Sequence, residues 1–277
     1  MPRITRIATR NDAFQLYETL SRNREKRTHT RLCFLEGVHP FEQAIAASES
    51  FLAIAYNEEK RLSGWAQDMI GRARPETLNP MPAALIAELS DRENPCELLG
   101  ILRQRTDGSE RVRRALSGSE NPIMVLCDRP SSPGNLGTVV RSADAFGAAC
   151  VTTCGHSADF YDPQCIRSSI GTLFHLPFCG FGSANEVFDF LKTLPFRPMI
   201  VGTTARGTIA LHEATLSGPI LLVVGNETFG MSKLWRESCD LLLRIPIYGG
   251  ASSLNLGCAA GICLYEIARQ RDFDGHR

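Results

Sequence analysis

The stretch IMVLCDRPSSPGNLGTVVRSADAFGAACVTTC, residues 123–154, holds one complete strand–turn–helix–strand step, and its reading sets the fold. Ile123 to Cys127 are apolar without the alternation of a half-exposed strand, so both faces of that strand should be buried. A turn rich in proline and glycine follows, then a helix from Gly134 to Gly147 and a second strand, ACVTTC (149–154). The alternation continues with helices near Pro163–Ser169 and over Ala184–Leu194. Then come PMIVGTT (198–204), ILLVVG (220–225), a helix over Ser232–Ser238, LLLRIPI (241–247) and a final helix over Leu254–Gln270. Continuous apolar strands joined by helices predict an α/β fold with a parallel sheet covered on both faces. Ligands of such sheets sit beyond the carboxyl ends of the strands, so the loops after Cys127, Thr204, Gly225 and Ile247 are the candidates for function.

Upstream, residues 1–105 mix helix signals (13–24, 40–47, 64–73, 82–89) with strand signals (32–36, 51–56, 98–102), which predicts a separate small α/β domain. The polar segment RTDGSERVRRALSGSEN (105–121) has little apolar periodicity, so residues 106–121 are expected to be a linker and 122–277 the second domain. With 43% hydrophobic and 22% charged residues in 277, the chain is globular rather than disordered or fibrous. It has no apolar run of about 18 residues and no signal-peptide core at its start, so a cytoplasmic location without a membrane segment is expected. Among the ten cysteines no Cys-x-x-Cys pair occurs and no Cys/His set has finger spacing. No metal is therefore expected, and Cys150 and Cys154 read as buried reduced thiols.

Three loops carry the chemistry. Asp128 to Gly137 has two prolines and two glycines, which make a rigid turn with room for close backbone approach. Arg141 falls about two turns into the next helix, away from Val140, Ala143 and Phe146; it is either functional or a partner of Asp144. In the second loop Gly225 and Gly230 have P-loop spacing, but Met231 and Ser232 stand where a phosphate-gripping lysine and its neighbour would. No Gly-x-Gly-x-x-Gly follows any strand, so both NTPase and dinucleotide dehydrogenase readings are disfavoured. Glu227 in that loop would repel phosphate and welcome a cation. The third loop, Tyr248 to Asn255, offers Ser253 as N-cap of a helix whose Gly257, Ala259, Ala260 and Gly261 permit close packing.

Net charge is zero, but its distribution is uneven. Between Arg3 and Arg31 eight basic residues (Arg3, Arg6, Arg10, Arg22, Arg24, Lys26, Arg27, Arg31) face three acids. This run is either a solvated helix face or a basic arm that neutralises phosphates. Phe160 and Tyr161 are candidates for base stacking or are packed down, and His156 reads as structural.

The segments PGNLGTVVRSADAFGA, LLVVGNETFGMS and IPIYGGASSLNLGCAAGICLYE resemble, in sequence and order, the three motifs of the SpoU (TrmH) family of RNA ribose 2′-O-methyltransferases in the SPOUT superfamily. RNREKRTHTRLCFLEGVHPFEQAI and ELSDRENPCELLGIL look like the small L30e-like RNA-binding domain that precedes the catalytic domain in many members. DRPSSPGNLGTVVRSADAFGA with GHSADFYDPQCIRSSIGTLFHLP looks most like the antibiotic-resistance (avilamycin-type) ribosomal RNA methyltransferases of the family. The resemblance implies a parallel sheet with a deep trefoil knot at the carboxyl end, a homodimer, and S-adenosylmethionine as cofactor. It implies that Thr204, Gly225, Asn226, Glu227, Gly230, Ile245, Ile247, Ser253, Leu254 and Asn255 hold the cofactor. Asn135, Arg141, Glu227, Ser253 and Asn255 would form the catalytic set, and Arg22, Arg24, Lys26, Arg27 and Arg31 with Arg141 would contact RNA. One departure is Gly257-Cys258, where many members have Val-Ser, and it is expected to alter packing alone.

The implied activity is methyl transfer to a ribose 2′-hydroxyl of ribosomal RNA, with large-subunit (23S) RNA as substrate. Transfer RNA is the alternative substrate, and a catalytically silent RNA-binding ribosome-assembly protein is the alternative of another class. The family assigns Arg141 a central role, often as base. A guanidinium holds its proton so tightly that neutral guanidine is scarce at pH 7. The expected division of labour is therefore that Arg141 fixes the adjacent phosphate and stabilises the developing alkoxide, while phosphate or solvent takes the proton.

Overall fold

Short apolar segments build the sheet of the amino-terminal half, and the helices between them bury one face against it. The computed structural model describes residues 2–90 and 92–271. In order come β1 (Arg3–Ile4), α1 (Asp12–Arg22), α2 (Arg24–Thr30), β2 (Leu32–Glu36), α3 (Val38–Ala46), β3 (Phe51–Asn57), α4 (Gly64–Ala73), β4 (Thr77–Met81), α5 (Ala83–Leu89) and β5 (Leu98–Arg103). The sheet order is β1-β4-β3-β5-β2, with β2 and β3 antiparallel to β5 and the remaining pairs parallel. Phe14, Tyr17 and Leu20 recur on one face of α1 and enter the core with Leu32, Phe34, Ala55 and Leu99.

Three features depart from the sequence reading here. The helix expected over 13–24 breaks at Asn23, whose side chain accepts from the Lys26 amide at 3.0 Å and so caps a new helix. β4 was not anticipated because Pro80 cannot donate to a ladder. It is tolerated because the ladder residues of β1 pair only with Thr77 and Leu78, and beyond them Pro80 is asked only to accept, its carbonyl taking the Ile7 amide at 3.0 Å. The amino terminus is also not a free arm, since the amides of Arg3, Thr5 and Ile7 donate along β4.

The second half contains α6 (Gly108–Ser117), β6 (Ile123–Asp128), α7 (Pro133–Ala145), β7 (Cys150–Cys154), α8 (Pro163–Ser168), β8 (Phe178–Phe181), α9 (Ala184–Lys192), β9 (Met199–Thr203), β10 (Ile209–Ala210), β11 (Ile220–Val224), α10 (Lys233–Ser238), β12 (Leu241–Arg244) and α11 (Leu256–Gln270). Its seven strands are all parallel in the order β10-β12-β9-β11-β6-β7-β8. As expected of strands covered on both faces, every residue of β6, β7 and β11 is buried.

Residues 106–121 are not a plain linker. They form α6, whose Val112 and Leu116, four residues apart, enter the core beside Val187, Phe190 and Leu194. Two anchors among many charges give too short a pattern to read. The units also interleave: one comprises residues up to Thr106 together with Asp159–His175, the other Asp107–Ala158 and the residues from Leu176 onward. The single boundary near residue 105 is corrected accordingly, and residues 272–277 of the expected second domain lie outside the described residues.

β12 ends at Arg244, so Ile245 to Ile247 leave the sheet instead of extending it as predicted. α11 begins at Leu256 behind the cap Asn255, not at Leu254, and among the described residues Ser253 caps no helix. α7 and α11 pack at very short range. A Cβ on Gly257 would lie 2.5 Å from Thr138 Cγ2, and one on Gly261 would lie 3.3 Å from Ser142 Oγ.

Candidate active site

β11 lies between β9 and β6, so the loops leaving the carboxyl ends of these three parallel strands emerge side by side. The loop after β11 is a turn closed on itself. Asn226 and Gly230 exchange backbone hydrogen bonds of 3.1 and 2.9 Å, and Gly230 has a φ of +65°. A Cβ on Gly225 would stand 2.1 Å from the Met231 nitrogen, so only glycine allows this closure. Closure, rather than a phosphate grip, explains the glycine spacing. Asn226 Oδ1 accepts from the amides of Thr228 and Phe229 at 2.9 and 3.0 Å. Its Nδ2 donates to the Arg129 carbonyl at 2.7 Å, pinning the turn to the loop after β6. Buried Asp128 adds a second pin by accepting from the Ser232 amide at 2.7 Å.

Glu227 makes the densest connection. Its Oε2 accepts from Ser131 N at 3.1 Å and Ser131 Oγ at 2.9 Å, while Oε1 accepts from Ser132 N at 3.3 Å and Asn135 Nδ2 at 2.9 Å. Partial burial pushes this carboxyl up, but the hydrogen bonds from Asn135, the backbone and Ser131 outweigh it and hold it below the usual carboxylate range. Asn135 Oδ1 in turn accepts from Asn255 Nδ2 at 2.9 Å. Asn255 Oδ1 accepts from Gly257 N at 2.8 Å and Cys258 N at 3.4 Å at the start of α11. A polar chain thus runs from an acceptor-only carboxylate through two amides to the first N–H groups of a helix, joining the loops after β11, β6 and β12.

The loops after β9, β11 and β12 line a cleft of about 430 Å³, to which the loop after β6 contributes no residue. Thr204, Gly225, Asn226, Glu227, Gly230, Ile245, Ile247, Ser253 and Leu254 line it. Asn255 does not, because its side chain is committed to the α11 cap and to Asn135. The sequence reading missed Phe229, Arg206 and Arg236, which also line the cleft. An aromatic inside a glycine-closed turn was a usable signal for Phe229; the two arginines carried none. Arg141 is exposed on α7 and lines no part of this cleft. Its side chain makes no hydrogen bond or ion pair among the described residues, so the bridge to Asp144 does not form.

The RNA-contact expectations need one firm correction. Arg27 is 1% exposed, donating to Asp159 and Asp162 at 2.8 Å each and to the Leu20 carbonyl at 3.1 Å. A guanidinium so enclosed cannot reach a phosphate. Arg6, Arg10 and Arg22 pair with Glu58, Glu88 and Glu18, which offsets much of the local positive charge. Arg24, Lys26 and Arg31 are exposed. Phe160 is buried and the Tyr161 hydroxyl accepts from the Arg105 amide at 3.0 Å, so both are packed down, while His156 is exposed away from the cleft. Among the described residues no group of three or more His, Cys, Asp or Glu could hold a metal ion, and no helix is long and apolar enough to cross a membrane.

Residues 122–265 match the model of the SpoU rRNA Methylase family, and residues 11–100 match that of the SpoU L30e-like domain. The chain is 37% identical over 273 residues to a 23S rRNA (uridine(2479)-2′-O)-methyltransferase of Streptomyces viridochromogenes, covering 98% of this chain and 94% of that protein. It is 29% identical to the 23S rRNA (guanosine-2′-O-)-methyltransferase RlmB of Pseudomonas aeruginosa, covering 92% of this chain and 93% of that protein. Among solved structures it resembles the SpoU methyltransferase AviRb of Streptomyces viridochromogenes in complex with AdoMet, with a TM-score of 0.88 over 96% of this chain and 100% of that one. An AdoMet-bound rRNA methyltransferase of Sinorhizobium meliloti, 25% identical, gives a TM-score of 0.84 over 96% and 98% of the two chains.

Proposed function

The chain belongs to the SpoU rRNA methylase family, and on that premise we propose that it transfers a methyl group from S-adenosylmethionine to a ribose 2′-hydroxyl of large-subunit (23S) ribosomal RNA. The observation that carries this reading is the hydrogen-bonded chain Glu227–Asn135–Asn255, which ties the three motif loops together, two of them lining one cleft. The cleft fits the cofactor in kind. Its volume of about 430 Å³ falls in the range of small-molecule sites. Ile245, Ile247 and Leu254 offer apolar surface to an adenine, and the ionised Glu227 offers negative charge to a sulfonium.

When bound, S-adenosylmethionine supplies an electrophilic methyl on sulfur, displaced in line by the 2′-oxygen. The protein's part is to hold the reactants and stabilise charge. The closed Asn226–Gly230 turn fixes one wall of the cleft, and Glu227, engaged by Ser131, Ser132 and Asn135, fastens that turn to the loop after β6. Arg141 binds the phosphate next to the target ribose and stabilises the developing alkoxide, while phosphate or solvent accepts the proton. Because Arg141 stands on α7 outside the cleft of its own chain, it serves the cleft of a second copy in a homodimer. Exposed Ile262 and Tyr265 on the adjoining α11 supply apolar surface for that contact. The deep trefoil knot at the carboxyl end is part of the same proposal and rests on the family membership. The reaction is placed in the cytoplasm, with the ribosome's RNA.

The test is transfer of labelled methyl from S-adenosylmethionine to ribosomal and transfer RNA, followed by mapping of alkali-resistant linkages. Label at one ribose of 23S RNA, lost in Arg141→Ala, is the expected result. Label in transfer RNA alone would replace the substrate, and binding of the cofactor with no label in ribosomal RNA, transfer RNA or assembled subunits would leave the silent RNA-binding protein. Arg141→Lys across a pH series should lose most activity at every pH; retention would refute the planar, bidentate role.

A further inference from the structure

Large apolar side chains exposed on a soluble protein are usually scattered singly. Here Phe229, Ile247, Tyr248 and Leu254 all lie on the loops that form or adjoin one cleft. Phe229 is the most informative of them. It is 78% exposed, although its backbone sits in the best-fixed turn of the site. Asn226 holds the Phe229 amide at 3.0 Å, the Asn226–Gly230 bridge closes the turn, and Asn226 Nδ2 anchors it to Arg129. The ring is thus carried on a rigid turn and held outward. A side chain serving the enclosed part of the cleft would show far less surface.

Charge around the ring points the same way. Arg206, following β9, and Arg236, on α10, both line the cleft and are exposed. Neither guanidinium has an ion pair or hydrogen bond among the described residues. The acids nearest in sequence to Arg236 are engaged elsewhere, since Glu237 pairs with Lys233 at 3.6 Å and Asp240 with Arg197 at 2.7 Å. Glu227, the carboxylate of the cleft, spends its hydrogen bonds on Ser131, Ser132 and Asn135 and forms an ion pair with neither arginine. A fixed aromatic face beside two uncompensated guanidinium groups matches a nucleotide, with a flat base and an anionic phosphodiester, better than it matches a protein surface.

We propose that Phe229 is the platform on which a base of the RNA substrate stacks at the mouth of the cleft, with Arg206 and Arg236 binding the flanking phosphates. This rests on the reading of the chain as an RNA ribose methyltransferase and adds the residues that seat the RNA. The stacked base is the target nucleotide or its immediate neighbour, because the ring borders the cleft in which the methyl donor is held.

The experiment uses the full chain as wild type, Phe229→Ala, Phe229→Trp, Arg206→Gln and Arg236→Gln. Probes are S-adenosylmethionine, by calorimetry, and 23S ribosomal RNA, by methyl-transfer kinetics at several salt concentrations. Phe229→Ala should lower kcat/KM for RNA by about ten-fold or more, and Phe229→Trp should restore most of it. Cofactor affinity in both should stay within about two-fold of wild type. Each Arg→Gln change should weaken RNA binding and reduce the slope of log affinity against log salt by about one. Parallel loss of cofactor affinity in Phe229→Ala would overturn the proposal and assign the ring to the cofactor pocket. Unchanged RNA kinetics, or a Trp variant as poor as the Ala variant, would also overturn it. A change in sedimentation of Phe229→Ala would assign the ring to a second copy and overturn it too. Wild type that methylates no RNA would remove the parent reading, whereas an active wild type with an equally active Phe229→Ala would remove this inference alone.

Discussion

The polar chain at the cleft has a direction, and Glu227→Gln should break it. Glu227 can only accept and the Gly257 amide can only donate, so the two asparagines between them are forced into one orientation each: Gly257 N to Asn255 Oδ1, Asn255 Nδ2 to Asn135 Oδ1, Asn135 Nδ2 to Glu227 Oε1. A glutamine keeps the shape but puts an NH₂ where an oxygen stood. If that NH₂ faces Ser131, the fixed Ser131 amide meets a donor. If it faces Asn135, that amide must turn, Asn255 must turn after it, and an NH₂ then meets the Gly257 amide. Either way at least one backbone N–H loses its partner. Hydrogen bonds to a charged acceptor contribute about 1.5–3 kcal/mol and neutral ones about 1 kcal/mol. Because Ser131 is exposed, water recovers part of the difference, which leaves about 1–2 kcal/mol, or roughly 5- to 30-fold in affinity.

Calorimetric titration of S-adenosylmethionine measures this directly. Asn255→Asp is the companion variant: it keeps an oxygen to cap α11 but loses the donor to Asn135 and sets a carboxylate against Asn135 Oδ1. It should weaken cofactor binding while leaving the melting temperature near wild type. The carboxylate's own titration adds a signature. Its pKa in the folded protein lies below the unfolded value of about 4.3, so its contribution to stability is complete above that value and lost as pH falls through the lower one. Glu227→Gln should remove that acid-side slope. Cofactor binding by Glu227→Gln within two-fold of wild type, with an unchanged acid profile, would refute the directed chain.

Two packing predictions follow from other contacts. Gly257→Ala places a methyl 2.5 Å from Thr138 Cγ2 and should lower stability in urea by about 1–3 kcal/mol, Gly261→Ala by clearly less, with Thr138→Ala partly rescuing the former; equal losses without rescue would count against the close α7–α11 contact. Arg27→Ala strands Asp159 and Asp162, which are themselves only 16% and 25% exposed, and should destabilise by about 3 kcal/mol. Lys26→Ala should be neutral within about 0.5 kcal/mol, and equal stability of the two variants would refute the buried pairing.

The parallel sheet and its ligand-bearing loops were legible because β11 is apolar throughout and β6 and β9 are free of polar side chains up to Asp128 and Thr203 at their ends, the pattern of strands covered on both faces. What was not legible depended on partners far along the chain. α6 has only two apolar anchors, and its identity as a helix becomes evident once Val187 and Phe190 are there to receive them. β4 contains a proline that matters only when the reach of β1 is known. Arg27 sits in a basic run that reads as an exposed surface, and its burial follows from two aspartates more than 130 residues away. The same limit hid Phe229, whose exposure is set by a turn that Asn226 closes through three side-chain hydrogen bonds.

Residue type and loop order located the candidate site, yet three residues read as its reactive groups spend their polar atoms on structure. Asn135 and Asn255 use both ends of their amides, and Glu227 accepts four hydrogen bonds. A base must have a lone pair open to the substrate, and this carboxylate, held below its usual pKa by those donors, has weak proton affinity as well. Among the described residues the site groups left without a side-chain partner include the Ser253 hydroxyl and the guanidinium groups of Arg141, Arg206 and Arg236, which are donors only. Such an inventory suits a displacement whose electrophile is already cationic and whose barrier falls mainly through alignment and charge stabilisation. Replacing a fastener should therefore appear first in cofactor affinity, and replacing a free arginine in RNA binding or turnover.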